Sequence, residues 1–146
     1  MVLLHGWPDS VLRFEKVIPE LTDVNVLVPA FPDYPFSVPT TRAVASADDM
    51  AVAIADAIAE LGYERYMVSA GDVGTDIAES LAARYPDRVS ALHLTDLSHR
   101  YALLSPPSDR SPEEQTYLDA VTRWHDLEGR LQPSTGLFTI EGVVGV

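Results

Sequence analysis

The sequence contains no cysteine among its 146 residues. Disulfide bonds, a thiolate nucleophile and cysteine-ligated zinc sites are therefore excluded. Only four histidines are present, and they show neither the H-x-x-x-H nor the HExxH spacing that is typical of metal sites. The sequence therefore predicts a protein that uses no metal and no other cofactor.

Basic residues are also scarce. The chain has 10 lysines and arginines against 22 aspartates and glutamates, which gives a formal net charge of −12. Such a surface repels nucleic-acid phosphates and anionic lipids. We therefore expect neither nucleic acid nor a membrane surface as a partner.

Long hydrophobic runs are missing as well. No apolar stretch approaches the roughly 18 residues that a membrane-spanning helix needs. The first apolar run, Val2–Leu4, ends at once at His5 and Gly6, and no basic residues precede it. It is too short for a signal peptide, so we expect a cytoplasmic protein.

The apolar residues that are present, 47% of the chain, are enough for one small hydrophobic core. Short strand-like runs alternate with helical periodicity in the order β-α-β-α-β-α-β, which predicts an α/β fold. We expect a parallel sheet of about four strands with flanking helices. The predicted strands are Val2–Leu4, Val24–Val28, Tyr66–Val68 and Val89–Thr95.

Helix boundaries are marked by capping signals. An apolar helical face runs from Val11 to Leu21, and a second helix is predicted between the S-x-x-D start at Ser46 and Gly62. A third helix follows Asp72 and is ended by Pro86. A fourth begins at Ser111, where a capping box is combined with proline at the first helical position.

Two turns lie at the carboxyl ends of predicted strands, where open parallel sheets bind ligands. His5-Gly6-Trp7-Pro8 follows the first strand, and Ala70-Gly71-Asp72-Val73-Gly74 follows the third. The second turn has the small-x-nucleophile-x-small shape of a nucleophile elbow, with aspartate where serine is usual. Small flanking residues are needed there because strand and helix backbones come close together.

Asp72 has two interpretations. Aspartate is a common N-cap residue, and Asp72 taken alone is explained by this capping role. Alternatively, its carboxylate attacks an electrophilic carbon to form an ester that water later cleaves. The backbone N–H groups of Trp7 and Val73 would then be placed to form an oxyanion hole. The presence of both turns in this chain order favours the nucleophile.

Five stretches resemble the α/β-hydrolase superfamily and, within it, the epoxide hydrolases. They are VLLHGWPDS at 2–10, VLVPAFPDYPFS at 26–37, residues 48–89 with the elbow, ALHLTD at 91–96, and SPEEQTYLDAVTRWHDLEG at 111–129. The resemblance implies a partial hydrolase core over residues 1–98 and the start of a helical cap over residues 99–146.

The resemblance also implies roles for particular residues. Asp72 would be the nucleophile, with Trp7 and Val73 as backbone donors. The same two turns would line a pocket for a small apolar epoxide through His5, Gly6, Pro8 and Gly71. Haloalkane dehalogenases share an aspartate elbow but carry tryptophan directly after it, where this chain has Val73, so epoxide chemistry is favoured.

Other parts of the family's machinery have no clear counterpart. The water-activating histidine comes late in these enzymes, and His93, His99 and His125 all precede that position, while Asp96 stands where some relatives place the acid. The resemblance also implies tyrosines in the cap that protonate the epoxide oxygen, and the candidates are Tyr101 and Tyr117. We therefore expect a truncated enzyme. The alternative is a non-catalytic binding module, with self-association through exposed sheet edges.

Overall fold

The computed structural model of the chain describes residues 1–39, 46–97 and 108–128. It divides into two compact units, Met1–Leu97 and Ser98–Val146. The first contains the sheet and both turns, and the second contains one long described helix.

The sheet of the first unit has three parallel strands in the order β1-β2-β3. These are β1 (Val2–Leu4), β2 (Tyr66–Ala70) and β3 (Val89–Leu94). Leu4 is in register with Ala70, and Ala70 with Leu94, so all three strands end at the same edge. This register places the segments that follow β1, β2 and β3 side by side.

The predicted strand at 24–28 is wrong as a full strand. Its main contact with the sheet is an isolated bridge between Val2 and Leu27, with Leu3 donating to the Leu27 carbonyl at 2.9 Å. Pro29 comes two residues later and has no N–H to donate, so the ladder cannot extend in that direction. The sheet in the described residues therefore has three strands where about four were expected.

The helix predicted over residues 11–21 is also different. Two short 3₁₀ helices, Val11–Phe14 and Ile18–Glu20, take its place. Pro19 cannot donate a backbone hydrogen bond, and its ring collides with the carbonyl four residues earlier in a regular helix. The apolar residues of this stretch therefore recur with a helical period, although the backbone does not form one continuous helix.

The helix α1 (Ala47–Glu60) begins as predicted. Ser46 Oγ accepts from the Asp49 N–H at 3.1 Å, and the Asp49 carboxylate accepts from the Ser46 N–H at 3.1 Å. Past the other end, Gly62 adopts a φ of +83°, which other residues rarely tolerate. The capping box and the glycine stop are both confirmed.

The helix α2 (Val73–Arg84) follows β2 directly and contacts all three strands, and α1 packs against α2. Its buried side chains include Thr75, Ile77 and Leu81, each 0% exposed. The core of the first unit lies between α2 and the sheet. The start of α2 is thereby held rigidly at the edge where the strands end.

The second unit contains α3 (Pro112–Glu128), which begins with the predicted capping box. The Ser111 N–H donates to Glu114 Oε2 at 2.7 Å, and the Glu114 N–H donates to Ser111 Oγ at 3.2 Å. Across residues 1–39, 46–97 and 108–128, no helix combines the length and apolar character needed to cross a bilayer.

Candidate functional site

The candidate site lies where β1 and β2 end. Because these two strands are adjacent and Leu4 pairs with Ala70, the turn at residues 5–8 lies beside the turn at residues 71–74. The sequence predicts that these turns meet, and in the described residues they are in direct hydrogen-bonding contact.

Asp72 occupies a strained corner. Its backbone has φ 56° and ψ −132°, which is unusual for a residue that is not glycine. Conformations of this kind cost on the order of 1–3 kcal/mol and persist at sites where the surrounding structure enforces them. The side chain of Asp72 makes no capping hydrogen bond to α2. The conventional N-cap interpretation therefore does not describe this residue.

Two glycines make the corner sterically possible. A Cβ on Gly74 would lie 2.6 Å from the His5 carbonyl oxygen and 2.8 Å from that of Leu4, so α2 can approach β1 only with glycine at this position. A Cβ on Gly6 would meet the Asp72 side chain, with Oδ1 at 2.6 Å. Both close approaches involve the elbow, which explains its need for small neighbours.

The carboxylate of Asp72 points across to the first turn. The backbone N–H of Trp7 donates to Asp72 Oδ1 at 2.7 Å, a short distance typical of a charge-assisted bond. Val73 is the first residue of α2, so its N–H has no acceptor within the helix. The Trp7 amide therefore contacts the Asp72 carboxylate, and the Val73 amide, next in the chain, is not used inside α2.

The other side of the elbow is held by Asp96, two residues beyond the end of β3. Asp96 Oδ1 accepts from the Asp72 N–H at 2.8 Å and from Thr75 Oγ1 at 3.1 Å. Gly71 also lies against this segment, since a Cβ there would collide with Thr95 Oγ1. The turn is thus fixed to β1 through Trp7 and to β3 through Asp96.

An aromatic cluster lies beside the elbow. The His5 ring stacks on Phe31 at 4.1 Å between centroids, and Tyr34 meets His5 edge-on at 5.2 Å and Trp7 at 5.7 Å. Phe31 and Tyr34 are buried. Both residues lie in the stretch VLVPAFPDYPFS at 26–37, where an F-x-x-Y spacing among prolines was the one signal that could have marked them.

Titration behaviour reflects this packing. Burial, together with the nearby negative charge of Asp72, raises the pKa of Tyr34 to about 12. Burial lowers the pKa of His5 below its ordinary value of 6.5, and the hydrogen bond to the Gly6 carbonyl only partly opposes this shift. Both side chains are therefore uncharged at neutral pH and form an apolar wall near a carboxylate.

The remaining candidate pocket residue of the first turn is Pro8. It is exposed and follows Trp7 through a cis peptide bond, in a turn closed by the Asp9 N–H on the Gly6 carbonyl at 3.0 Å. Of the predicted site residues, His5, Gly6, Trp7 and Gly71 have contacts at or next to the elbow, and the role of Pro8 stays a prediction.

The histidines and tyrosines considered for other roles are placed differently. His93 lies in β3, is exposed, and its Nδ1 is 2.9 Å from Ser69 Oγ. His99 and Tyr101 fall outside the described residues, as does the side chain of His125. Tyr117 lies in α3 of the second unit, with its side chain 54% exposed.

Comparison with known proteins matches residues 1–131 to a family described as the alpha/beta hydrolase fold. Juvenile hormone epoxide hydrolase of the silkworm Bombyx mori is 36% identical over 101 residues, which cover 64% of this chain and 22% of that enzyme. Its crystal structure aligns with a TM-score of 0.61 at 31% identity, over 74% of this chain and 32% of that one.

The structure of Aspergillus niger epoxide hydrolase is similar to the same extent. It aligns with a TM-score of 0.64 at 28% identity, over 77% of this chain and 31% of that one. The chain thus spans between 22% and 32% of the length of these relatives. The family match over residues 1–131 includes the sheet and the elbow described above.

Proposed function

This chain belongs to the α/β-hydrolase fold family, and from that premise we propose that Asp72 is the nucleophile of an epoxide-opening reaction. The observation that carries the proposal is the bond from the Trp7 N–H to Asp72 Oδ1, 2.7 Å long, made by a side chain that does not cap its own helix. The epoxide hydrolases among the relatives support the choice of electrophile.

The proposed first step is nucleophilic opening of the ring. The free carboxylate oxygen of Asp72 forms a bond to one epoxide carbon, the bond from that carbon to the ring oxygen breaks, and the ring oxygen takes up a proton from solvent water, which leaves hydroxide. The product is an ester whose carbonyl oxygen is Asp72 Oδ1. That oxygen stays on the amides of Trp7 and Val73, which stabilise the charge that develops when water attacks the ester.

The second step releases a diol and regenerates the carboxylate. It requires a base that activates water, and the family resemblance assigns this task to a histidine and acid pair that lies later in the fold. The first half-reaction is therefore the one that these 146 residues are proposed to carry. An ester that forms without that base accumulates on the protein.

The substrate class follows from the surroundings of the carboxylate. Buried Phe31 and Tyr34 and the stacked His5 ring are uncharged at neutral pH and favour an apolar substituent on the epoxide. We therefore propose a small apolar epoxide as the substrate. Trp7, Val73, His5, Gly6 and Gly71 would form or support its pocket.

Alkylation by styrene oxide tests the proposal. Intact-mass measurement of the 146-residue chain should show addition of one epoxide, mapped by peptide sequencing to the segment that contains Asp72. Asp72→Ala should show no adduct, and Asp76→Asn, four residues further along the same helix, should react like the unchanged chain. An unmodified protein would refute a nucleophilic Asp72, and halide release from a bromoalkane would indicate dehalogenase chemistry instead.

A second candidate function is a non-catalytic interaction module. The strand β3 favours it, because it is an edge strand in the described sheet and its apolar side chain Leu92 is 40% exposed. Exposed edges can pair with another chain. Sedimentation measurements over a range of concentrations would show a dimer if this face associates, whereas a monomer that is alkylated by epoxide would exclude the module.

A further inference from the structure

Asp96 makes an unusual set of contacts for a residue outside the two turns. Its Oδ1 accepts hydrogen bonds from the Asp72 N–H at 2.8 Å, from Thr75 Oγ1 at 3.1 Å and from Thr95 Oγ1 at 3.2 Å. The first donor is the backbone of the elbow itself, and the second is a fully buried side chain in the first turn of α2.

These contacts act on the strained part of the elbow. The N–H of Asp72 belongs to the peptide plane that joins Gly71 to Asp72, and the orientation of this plane determines the φ of 56° at Asp72. A residue other than glycine tends to relax away from such a value. Holding the N–H on Asp96 opposes that relaxation.

The position of Asp96 is itself rigid. The Thr95 N–H donates to the Ala70 carbonyl at 3.0 Å, which continues the pairing between β2 and β3 up to the elbow. Gly71 leaves room for Thr95 to lie directly against the turn. Asp96 therefore directly follows a residue that is hydrogen-bonded to the end of β2, the strand that leads into the elbow.

The negative charge of Asp96 is unfavourable for the proposed chemistry, so its value must lie in the hydrogen bonds that its carboxylate accepts. A second carboxylate near Asp72 repels negative charge on the nucleophile. Asparagine could accept the same hydrogen bonds without that repulsion, but with weaker bonds, because bonds to an ionised acceptor are about twice as strong. The proposed role needs only an acceptor oxygen at this position, which the Oδ1 of aspartate or asparagine supplies.

We propose that Asp96 is a positioning residue, which holds the Gly71–Asp72 peptide so that the Asp72 carboxylate stays on the Trp7 amide and faces the substrate. This inference rests on the proposed function of Asp72. It assigns to Asp96 a role at the elbow through Oδ1, independent of any histidine.

Alkylation kinetics test the positioning role. In the 146-residue chain with styrene oxide, Asp96→Ala should lower the maximal alkylation rate by about 10- to 100-fold, because small misplacements of a reacting group have effects of that size. The epoxide concentration at half-maximal rate should stay within about twofold, since the apolar wall is untouched. Asp96→Asn should recover the rate to within about threefold of the unchanged chain, because its Oδ1 can accept the same bonds. Asp76→Asn is the matched control.

Hydrogen exchange of the Asp72 amide tests the contact without any reaction. Removal of its acceptor in Asp96→Ala should speed exchange of this amide by about fivefold or more, while amides of β1 and the middle of α2 keep their rates. If Asp96→Ala does not fold, Asp96→Ser, with a side chain too short to bridge both donors, replaces it in both assays.

Three results would overturn the proposal: an Asp72 amide that exchanges at the same rate in Asp96→Ala, a maximal alkylation rate equal to that of the unchanged chain, or an Asp96→Asn variant as slow as Asp96→Ala. A chain that is never alkylated would refute the proposed function of Asp72 instead. In that case the exchange experiment still decides whether Asp96 holds the elbow.

Discussion

Replacement of Gly74 by alanine is the most direct perturbation of the elbow. Gly74 is buried in the first turn of α2, and a Cβ there would lie 2.6 Å from the His5 carbonyl oxygen and 2.8 Å from the Leu4 carbonyl oxygen. Both obstacles are backbone atoms of the β1 end, so no side chain can rotate to make space. The helix and the strand must move apart.

Two opposing effects determine the size of the change. Alanine normally favours a helix over glycine by about 0.5–1 kcal/mol. Overpacking of a closed contact costs typically about 1–3 kcal/mol, and the backbone nature of this contact places it toward the upper end. We therefore expect Gly74→Ala to destabilise the protein by about 1–2 kcal/mol in net free energy of unfolding. For a unit of this size that corresponds to a Tm lower by roughly 4–16 °C.

The assay is thermal unfolding followed by circular dichroism, with epoxide alkylation measured on the folded protein. Ala83→Gly, at an exposed position of the same helix, measures separately how much the exchange of alanine and glycine changes helix stability without a close contact. Gly74→Ala should also slow alkylation, because a displaced α2 lengthens the 2.7 Å bond between the Trp7 N–H and Asp72 Oδ1. A Gly74→Ala variant as stable as the unchanged protein, or more stable, would refute the close approach of α2 to β1.

Three further predictions concern the same site. Asp72→Gly should be more stable than Asp72→Ala by about 1 kcal/mol in denaturant unfolding, because only glycine relieves the positive φ; equal stabilities would contradict strain at this corner. Gly6→Ala should lower the alkylation rate by about 10²- to 10³-fold with an unchanged circular dichroism spectrum, because its Cβ would displace the Asp72 carboxylate from the Trp7 amide; a rate near that of the unchanged chain would exclude this contact. Burial lowers the pKa of His5 in the folded state below 6.5, so the unfolded state binds the proton more readily. The stability that neutral His5 contributes is therefore lost as the pH falls below about 6.5 and through the lowered pKa. Tm measured from pH 8 to pH 5 should therefore fall more steeply for the unchanged protein than for His5→Asn, and parallel curves would show that His5 is not buried in its neutral form.

The parts of the fold that depend on neighbours in sequence were predicted well. The capping boxes at Ser46 and Ser111 and the glycine after α1 are confirmed because each uses atoms within a few residues of one another. The same holds for the strand, turn and helix order around Asp72. In these places short-range steric contacts and hydrogen bonds restrict the backbone to one conformation.

The failures came where a single local feature interrupted a correct pattern. The apolar period from Val11 to Leu21 predicts one helix, but Pro19 interrupts it and two short 3₁₀ helices form. The run Val24–Val28 has strand-like composition, yet only Leu27 forms a bridge to β1. Composition gives the strand-like or helical character of a stretch, whereas the number of ladder bonds depends on a partner strand that composition does not describe.

The sequence by itself determined the order of strand, elbow and helix around Asp72, the aspartate at the tip of the elbow and the excess of negative charge. Only the tertiary structure decided what surrounds that aspartate: the Trp7 amide on one side, Asp96 on the other, and the ring cluster of His5, Phe31 and Tyr34. The physical reason is separation along the chain. The contacts of Asp72 with Trp7 and Asp96 join residues 65 and 24 positions apart, and only the register of three parallel strands brings them within hydrogen-bonding distance.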